Sequence, residues 1–135
     1  MQAKRLTDND RLMRARTQLF ILQSAHQDLG EFARGLRSRG GDGLPHGSAS
    51  GDALEREVIR REQLERRVDV ERRRLDRYRS EAQRIIGRMD TRRALFCTHR
   101  YLYGEEMKQI RIALRGSVSA RQMERYKREI EGGRA

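Results

Sequence analysis

The sequence has no tryptophan, one proline and one cysteine. A single thiol, Cys97, excludes an internal disulfide and a thiolate zinc cage, and predicts a reducing, cytoplasmic setting. The longest pure apolar run is "LFIL" at 19–22, far short of the ~20 residues that cross a bilayer. The stretch "MQAKRLTDND" lacks the apolar core of a signal peptide. A cytoplasmic protein with no membrane contact is expected. His26, His46 and His99 fall in three separate segments without a carboxylate at ligand spacing, so neither a metal nor a cofactor is expected. The acidic residues are interleaved with arginine, which gives a paired-carboxylate hydrolase no support, and Cys97 has no base near it in sequence. It reads as a small core residue. The chain does not look like an enzyme.

What the sequence does have is charge. Charged residues make up 38% and apolar residues 36%, too little for a thick core but enough for long helices sharing narrow seams. The net charge of +11 is uneven: residues 91–135 hold 11 basic and 5 acidic side chains, more than half the excess. A basic C-terminal third marks an electrostatic footprint for a polyanion. Lys4, Lys108 and Lys127 are the only lysines; the other basic residues are arginine, which suits bidentate phosphate and guanine contacts, although an arginine-rich codon bias is the simpler explanation of the preference over lysine.

The apolar residues are periodic. Leu12, Ala15, Leu19, Leu22, His26, Leu29, Ala33 and Leu36 follow steps of 3 and 4, predicting a helix over 7–37 with Asp8 or Asp10 at its start. "SRGGDGLPHGSASG", residues 38–51, holds five glycines and the proline and predicts a flexible loop. No Lys–Ser/Thr pair follows it, so it is not a phosphate-binding loop. "DALE" then resembles a capping box with Asp52 as cap. Leu54, Val58, Leu64, Val68, Leu75, Tyr78, Ala82, Ile85 and Met89 run on at mostly heptad spacing, interrupted at Arg61 and Glu71, and predict a helix over 52–89. The expected fold is therefore all-α: residues 1–90 form a long antiparallel, coiled-coil-like hairpin, with surplus apolar surface for a homodimer.

Residues 91–135 divide differently. "RRALFCTHRYLY" predicts a helix over 91–103 facing inward through Leu95, Thr98, Tyr101 and Leu102, with Gly104 in the left-handed position that ends it. A helix over 105–115 places Met107, Ile110 and Leu114 on one face and Lys108, Arg111 and Arg115 on another. After "RGSVS", Ser119 is a good N-cap for a helix over 119–131. Met123, Tyr126 and Ile130 face inward there, and Arg121, Arg125 and Arg128 face outward with Gln122 beside them. Helix, tight turn and helix, each apolar inside and basic outside, is a helix-turn-helix pattern. In that geometry the last helix reads base edges in the major groove and the helix before it braces the phosphates.

"RYLYGEEMKQI" followed by "SARQMER" resembles the C-terminal part of small phage and prophage regulatory proteins. These carry a helix-turn-helix similar to region 4 of sigma factors and include late-gene transcriptional regulators. The matching positions are Arg100, Tyr101, Gly104, Met107 and Ile110, then Ser119, Arg121, Met123 and Arg125. The chain departs from the family pattern with Arg111 where a small alanine is usual, a longer turn before Ser119, and Glu129–Ile130 near the end. The resemblance implies a transcriptional regulator that binds double-stranded DNA; the outer faces of the two helices give the expected nucleic-acid contacts as Lys108, Arg111, Arg115, Ser119, Arg121, Gln122, Arg125 and Arg128. RNA polymerase is a possible protein partner, and the host cytoplasm the setting. Two other classes fit the residues: a phage-encoded inhibitor of a host nucleic-acid enzyme, and a helical scaffold whose basicity is incidental.

Overall fold

The computed structural model describes the backbone of residues 5–41 and 50–132 and the side chains of 5–35 and 51–132. All regular structure among them is helical: α1 (Asp8–Gly41), α2 (Ser50–Ile86), α3 (Thr91–Cys97), a π-helical turn (Thr98–Leu102), α4 (Met107–Ala113) and α5 (Ala120–Glu131). The expected loop is shorter than residues 38–51, since α1 runs to Gly41 and α2 starts at Ser50. Its remainder, 42–49, and the seam residue Leu36 lie outside the description. A nucleated helix gains a hydrogen bond for each residue added, which carries α1 past Gly35 and Gly40.

Thr7, rather than Asp8 or Asp10, caps α1: its hydroxyl accepts from the Asp10 amide at 3.1 Å, and the Asp10 carboxylate accepts from the Thr7 amide at 3.1 Å. Asp52 lies inside the first turn of α2, so the expected cap is instead an acidic first-turn residue favourable to the helix dipole.

The contacts divide the chain into two compact units, one of residues 1–20 with 74–135 and one of 21–73. In the second unit α1 and α2 run antiparallel, held by Arg67–Asp28 at 2.7 Å and an Arg72–His26 contact at 3.5 Å. Leu22, Ala25, Leu64 and Val68 are buried, with Glu71 continuing the 3–4 spacing at 7% exposure rather than interrupting it. His26, expected in the seam, is exposed and Ala25 takes its place. Leu54 and Val58, also expected there, stand 59% and 53% exposed. The α1 sequence beyond Ala33 holds few apolar residues to cover them.

The first unit holds one continuous core. Leu12 and Ala15 of α1 and Ala82, Ile85 and Ile86 of α2 pack with Phe96, Cys97, Tyr101, Ile110, Met123, Tyr126 and Ile130. Phe96 lies edge-on to Tyr101 (ring centroids 6.3 Å apart) and tilted against Tyr126 at 5.8 Å. The base of the helical hairpin and the C-terminal helices therefore share their burial. The Arg14–Glu81 ion pair at 2.5 Å, with Arg14 stacked 4.0 Å over Tyr78, ties α1 to α2 here.

Candidate nucleic-acid interface

The interface begins with how α5 is fixed. Asp90 caps α3 by accepting from the Arg93 amide at 2.9 Å. α3 passes into the π-turn, closed by the Tyr103 amide donating to the Thr98 carbonyl at 3.0 Å. This inserted residue changes the inward face. Tyr101 and Leu102 are buried as expected, but Leu95 is 36% exposed and Thr98 only half-buried, while Phe96, Cys97 and Arg100 are buried instead. Gly104 follows at φ 73°, the left-handed conformation its sequence position predicts.

Burying Arg100 at 6% exposure demands a counter-charge, and Glu131 near the end of α5 supplies it. Arg100 donates from Nε to Oε2 at 2.8 Å and from Nη2 to Oε1 at 3.0 Å, and the Tyr101 hydroxyl donates to Oε2 at 2.7 Å. The hydrogen bond to Glu131 raises the Arg100 pKa against the pull of burial. Burial alone would push the Glu131 carboxyl up; the bonds from Arg100 and Tyr101 outweigh it and hold it below the ordinary glutamate value. Burial, then that same hydrogen bond, pushes the Tyr101 phenol far above its usual range. α5 is thereby anchored to the turn 30 residues upstream.

α4 and α5 present the residues singled out by sequence. α4 spans Met107–Ala113, shorter than 105–115, its start fixed by the Glu106 amide donating to Gln109 Oε1 at 2.8 Å. Ile110 and Leu114 are buried and Met107 half-buried, as expected. The turn to α5 carries Gly116 at φ 87° and buries Val118, a core residue its turn-like setting conceals. Ser119 caps α5 by accepting from the Gln122 amide at 3.1 Å, and Gln122 Oε1 accepts from the Ser119 amide at 3.3 Å. These two expected contact residues are thus each other's capping partners. Gln122 is half-buried with its carbonyl oxygen engaged; only its amide NH₂ remains to read a base.

Met123, Tyr126 and Ile130 are buried, and Arg121, Arg125 and Arg128 are exposed on the other side of α5. Lys108, Arg115, Arg121 and Arg128 are exposed without an ion pair among the described residues. Arg111 and Arg125 are partly neutralised. Arg111 donates to Glu124 at 2.7 Å, bridging α4 to α5, and Arg125 stands 3.8 Å from Glu129 and beside the Tyr126 ring. The departure at Arg111 is accommodated because that position faces solvent.

His99 does meet a carboxylate: Nδ1 lies 2.5 Å from Glu105 Oε1, a pair six residues apart that ligand-spacing rules overlook. No group of three or more potential metal ligands occurs among the described residues. Nor is any helix among them long and apolar enough to cross a membrane. The chain matches no family model, no curated protein and no solved structure.

Proposed function

We propose that the protein is a DNA-binding regulator of the phage and prophage type, with α4 and α5 acting as a helix-turn-helix. The observation that carries this reading is α5: one face is buried through Met123, Tyr126 and Ile130, and the opposite face offers exposed Arg121, Arg125 and Arg128. Arg121 and Arg125 reach base edges in the major groove, where a guanidinium pairs with guanine O6 and N7. Lys108, Arg111 and Arg115 brace the phosphates from α4 and the turn. Gln122 contributes only its amide NH₂ as a donor group, since the two-pronged adenine contact needs the oxygen already held by Ser119. The test is selection of bound duplexes from a random pool at physiological salt. One enriched motif supports sequence reading; retention of all sequences alike, or of none, overturns it.

Protein contact is the second reading, favoured by Leu54, Val58 and Ile59, which stand 48–59% exposed on α2. A second copy of the chain, RNA polymerase or a host nucleic-acid enzyme are the partners it admits. Light scattering distinguishes the first: a monomer at tens of micromolar excludes self-association through these helices.

A further inference from the structure

The base of the helical hairpin carries its own arginine cluster, distant in sequence from α5. Arg84, in the last turn of α2, and Arg88 just beyond it line a cleft of about 270 Å³ with Arg11 of α1, floored by Ile85. The carboxylate in that cleft, Glu81, is engaged by Arg14 at 2.5 Å, and so does not cancel the cleft's charge. Arg11 has only a long contact, 3.7 Å, to Asp8. Arg84 and Arg88 have no ion pair among the described residues and are exposed. Ile85 and Arg88 also line a neighbouring cleft with Arg93. Arg93 donates to Glu129 at 2.8 Å, and Glu129 lies 3.8 Å from Arg125 on α5. Arg93 and Arg125 are therefore joined through a shared carboxylate, and the unpaired charge at the hairpin base is that of Arg84 and Arg88 with the weakly held Arg11.

We infer that Arg11, Arg84 and Arg88 form a phosphate-binding site that holds the sugar–phosphate backbone of the duplex outside the segment read by α5. The inference rests on the DNA-binding reading above and adds a second contact zone to it. Three guanidiniums around a concave, partly apolar floor match a phosphodiester in charge and in hydrogen-bond donors. Such a contact is blind to sequence and releases bound counterions, so it adds affinity and salt dependence without altering base preference. Because Arg11 comes from α1 and Arg84 and Arg88 from α2, the hairpin base sets the spacing of the site.

Arg84 near the negative end of the α2 dipole also serves the helix, and a structural role alone would show in stability rather than in binding. The experiment uses the full chain and two duplexes, the motif selected from the random pool and a scrambled version. Arg84→Ala/Arg88→Ala is compared with the unaltered protein over a range of salt concentrations, with thermal unfolding measured in parallel. Affinity falls by the same factor on both duplexes, and the slope of log K against log salt becomes shallower by about 2. Hydroxyl-radical protection outside the motif is lost while protection within it remains. Arg84→Lys/Arg88→Lys, which keeps the charge, restores most of the slope. An unchanged slope and footprint in a double-alanine variant that still selects the motif overturns the inference and leaves the DNA-binding reading intact. A chain that enriches no motif and binds neither duplex overturns both.

Discussion

Arg100 and Glu131 form a two-pronged ion pair, 2.8 and 3.0 Å, with the guanidinium 6% exposed and the carboxylate also receiving the Tyr101 hydroxyl. It joins the π-turn to the last turn of α5, the helix that carries exposed Arg121, Arg125 and Arg128. A charge left unpaired at this burial costs far more than the pair itself is worth.

Glu131→Gln therefore destabilises the protein by roughly 3 kcal/mol at neutral pH, because Arg100 stays buried and keeps only a longer contact, 3.8 Å, to the exposed Glu106 carboxylate. Urea unfolding measures this. Tyr101→Phe removes one hydrogen bond to a charged group and costs about 1.5–3 kcal/mol. A loss below about 1 kcal/mol for Glu131→Gln means the end of α5 is not held this way.

The same pair sets an acid limit. The folded Glu131 carboxyl titrates below the ordinary glutamate value near 4.5, so the native state favours its ionised form. The stabilisation is complete above the unfolded value and is lost as pH falls through the folded one. Stability of the unaltered chain should decline below about pH 4.5, and Glu131→Gln should flatten that decline. Parallel acid titrations of the two proteins decide it; equal slopes would assign the loss to other carboxylates.

Cys97 is fully buried, and burial pushes its thiol up to about 12. The nucleophile is the thiolate, so native protein should react with a thiol reagent at pH 8 only as fast as it opens. Reaction in denaturant should be orders of magnitude faster. Equal rates would show the core around Phe96 and Cys97 to be open.

Gly104 combines φ 73° with a tight approach: a Cβ there would stand 2.6 Å from Cδ2 of Leu19. Gly104→Ala meets two obstacles. The left-handed backbone costs about 1–2 kcal/mol, and the leucine tip must shift. Gly104→Ala in a Leu19→Ala background removes the clash and keeps the backbone cost. Double-mutant unfolding data should show coupling between the two sites smaller than the Gly104→Ala loss itself.

The sequence displayed α5 well because its period is unbroken: cap, buried face and basic face all fall where steps of 3 and 4 put them. It displayed α3 poorly because the π-turn adds a residue that no propensity rule marks, turning Leu95 outward and bringing Arg100 in. Arg100 then ceases to be surface charge, so part of the basic excess in 91–135 is neutralised inside. In α1 the pattern fits either of two adjacent registers. Leu19 is the more apolar choice, yet Gln18 and Ala25 are the fully buried positions, and Leu19 is only half-buried, against Gly104. Apolarity ranks residues, but the space left by a partner helix selects among them. The arginine cluster at the hairpin base was invisible for a related reason: Arg11 and Arg84 are 73 positions apart and share a cleft only after α1 and α2 pair.

The remaining prediction separates reading from bracing across α4 and α5. Arg121 and Arg125 lie in the first half of α5 and are exposed, so replacing either with alanine removes a base contact. The cost at the selected motif should be about 1–3 kcal/mol, with preference relaxed at one base pair. Arg115→Ala should weaken binding on every sequence alike and lower the salt slope by about 1. Arg111→Ala also removes a positive charge but frees the Glu124 carboxylate, now 2.7 Å from the guanidinium, to repel phosphate. Its loss should exceed that of Arg115→Ala at low salt and converge on it at high salt, where screening suppresses the exposed carboxylate. All four side chains are exposed, so folding should change by no more than about 0.5 kcal/mol for Arg115 and Arg121 and about 1 kcal/mol for Arg111 and Arg125, which lose surface ion pairs. Binding curves on motif and scrambled duplexes at several salt concentrations supply every comparison. Sequence-blind losses from Arg121 and Arg125 as well would reduce α5 to a basic surface that holds DNA without reading it.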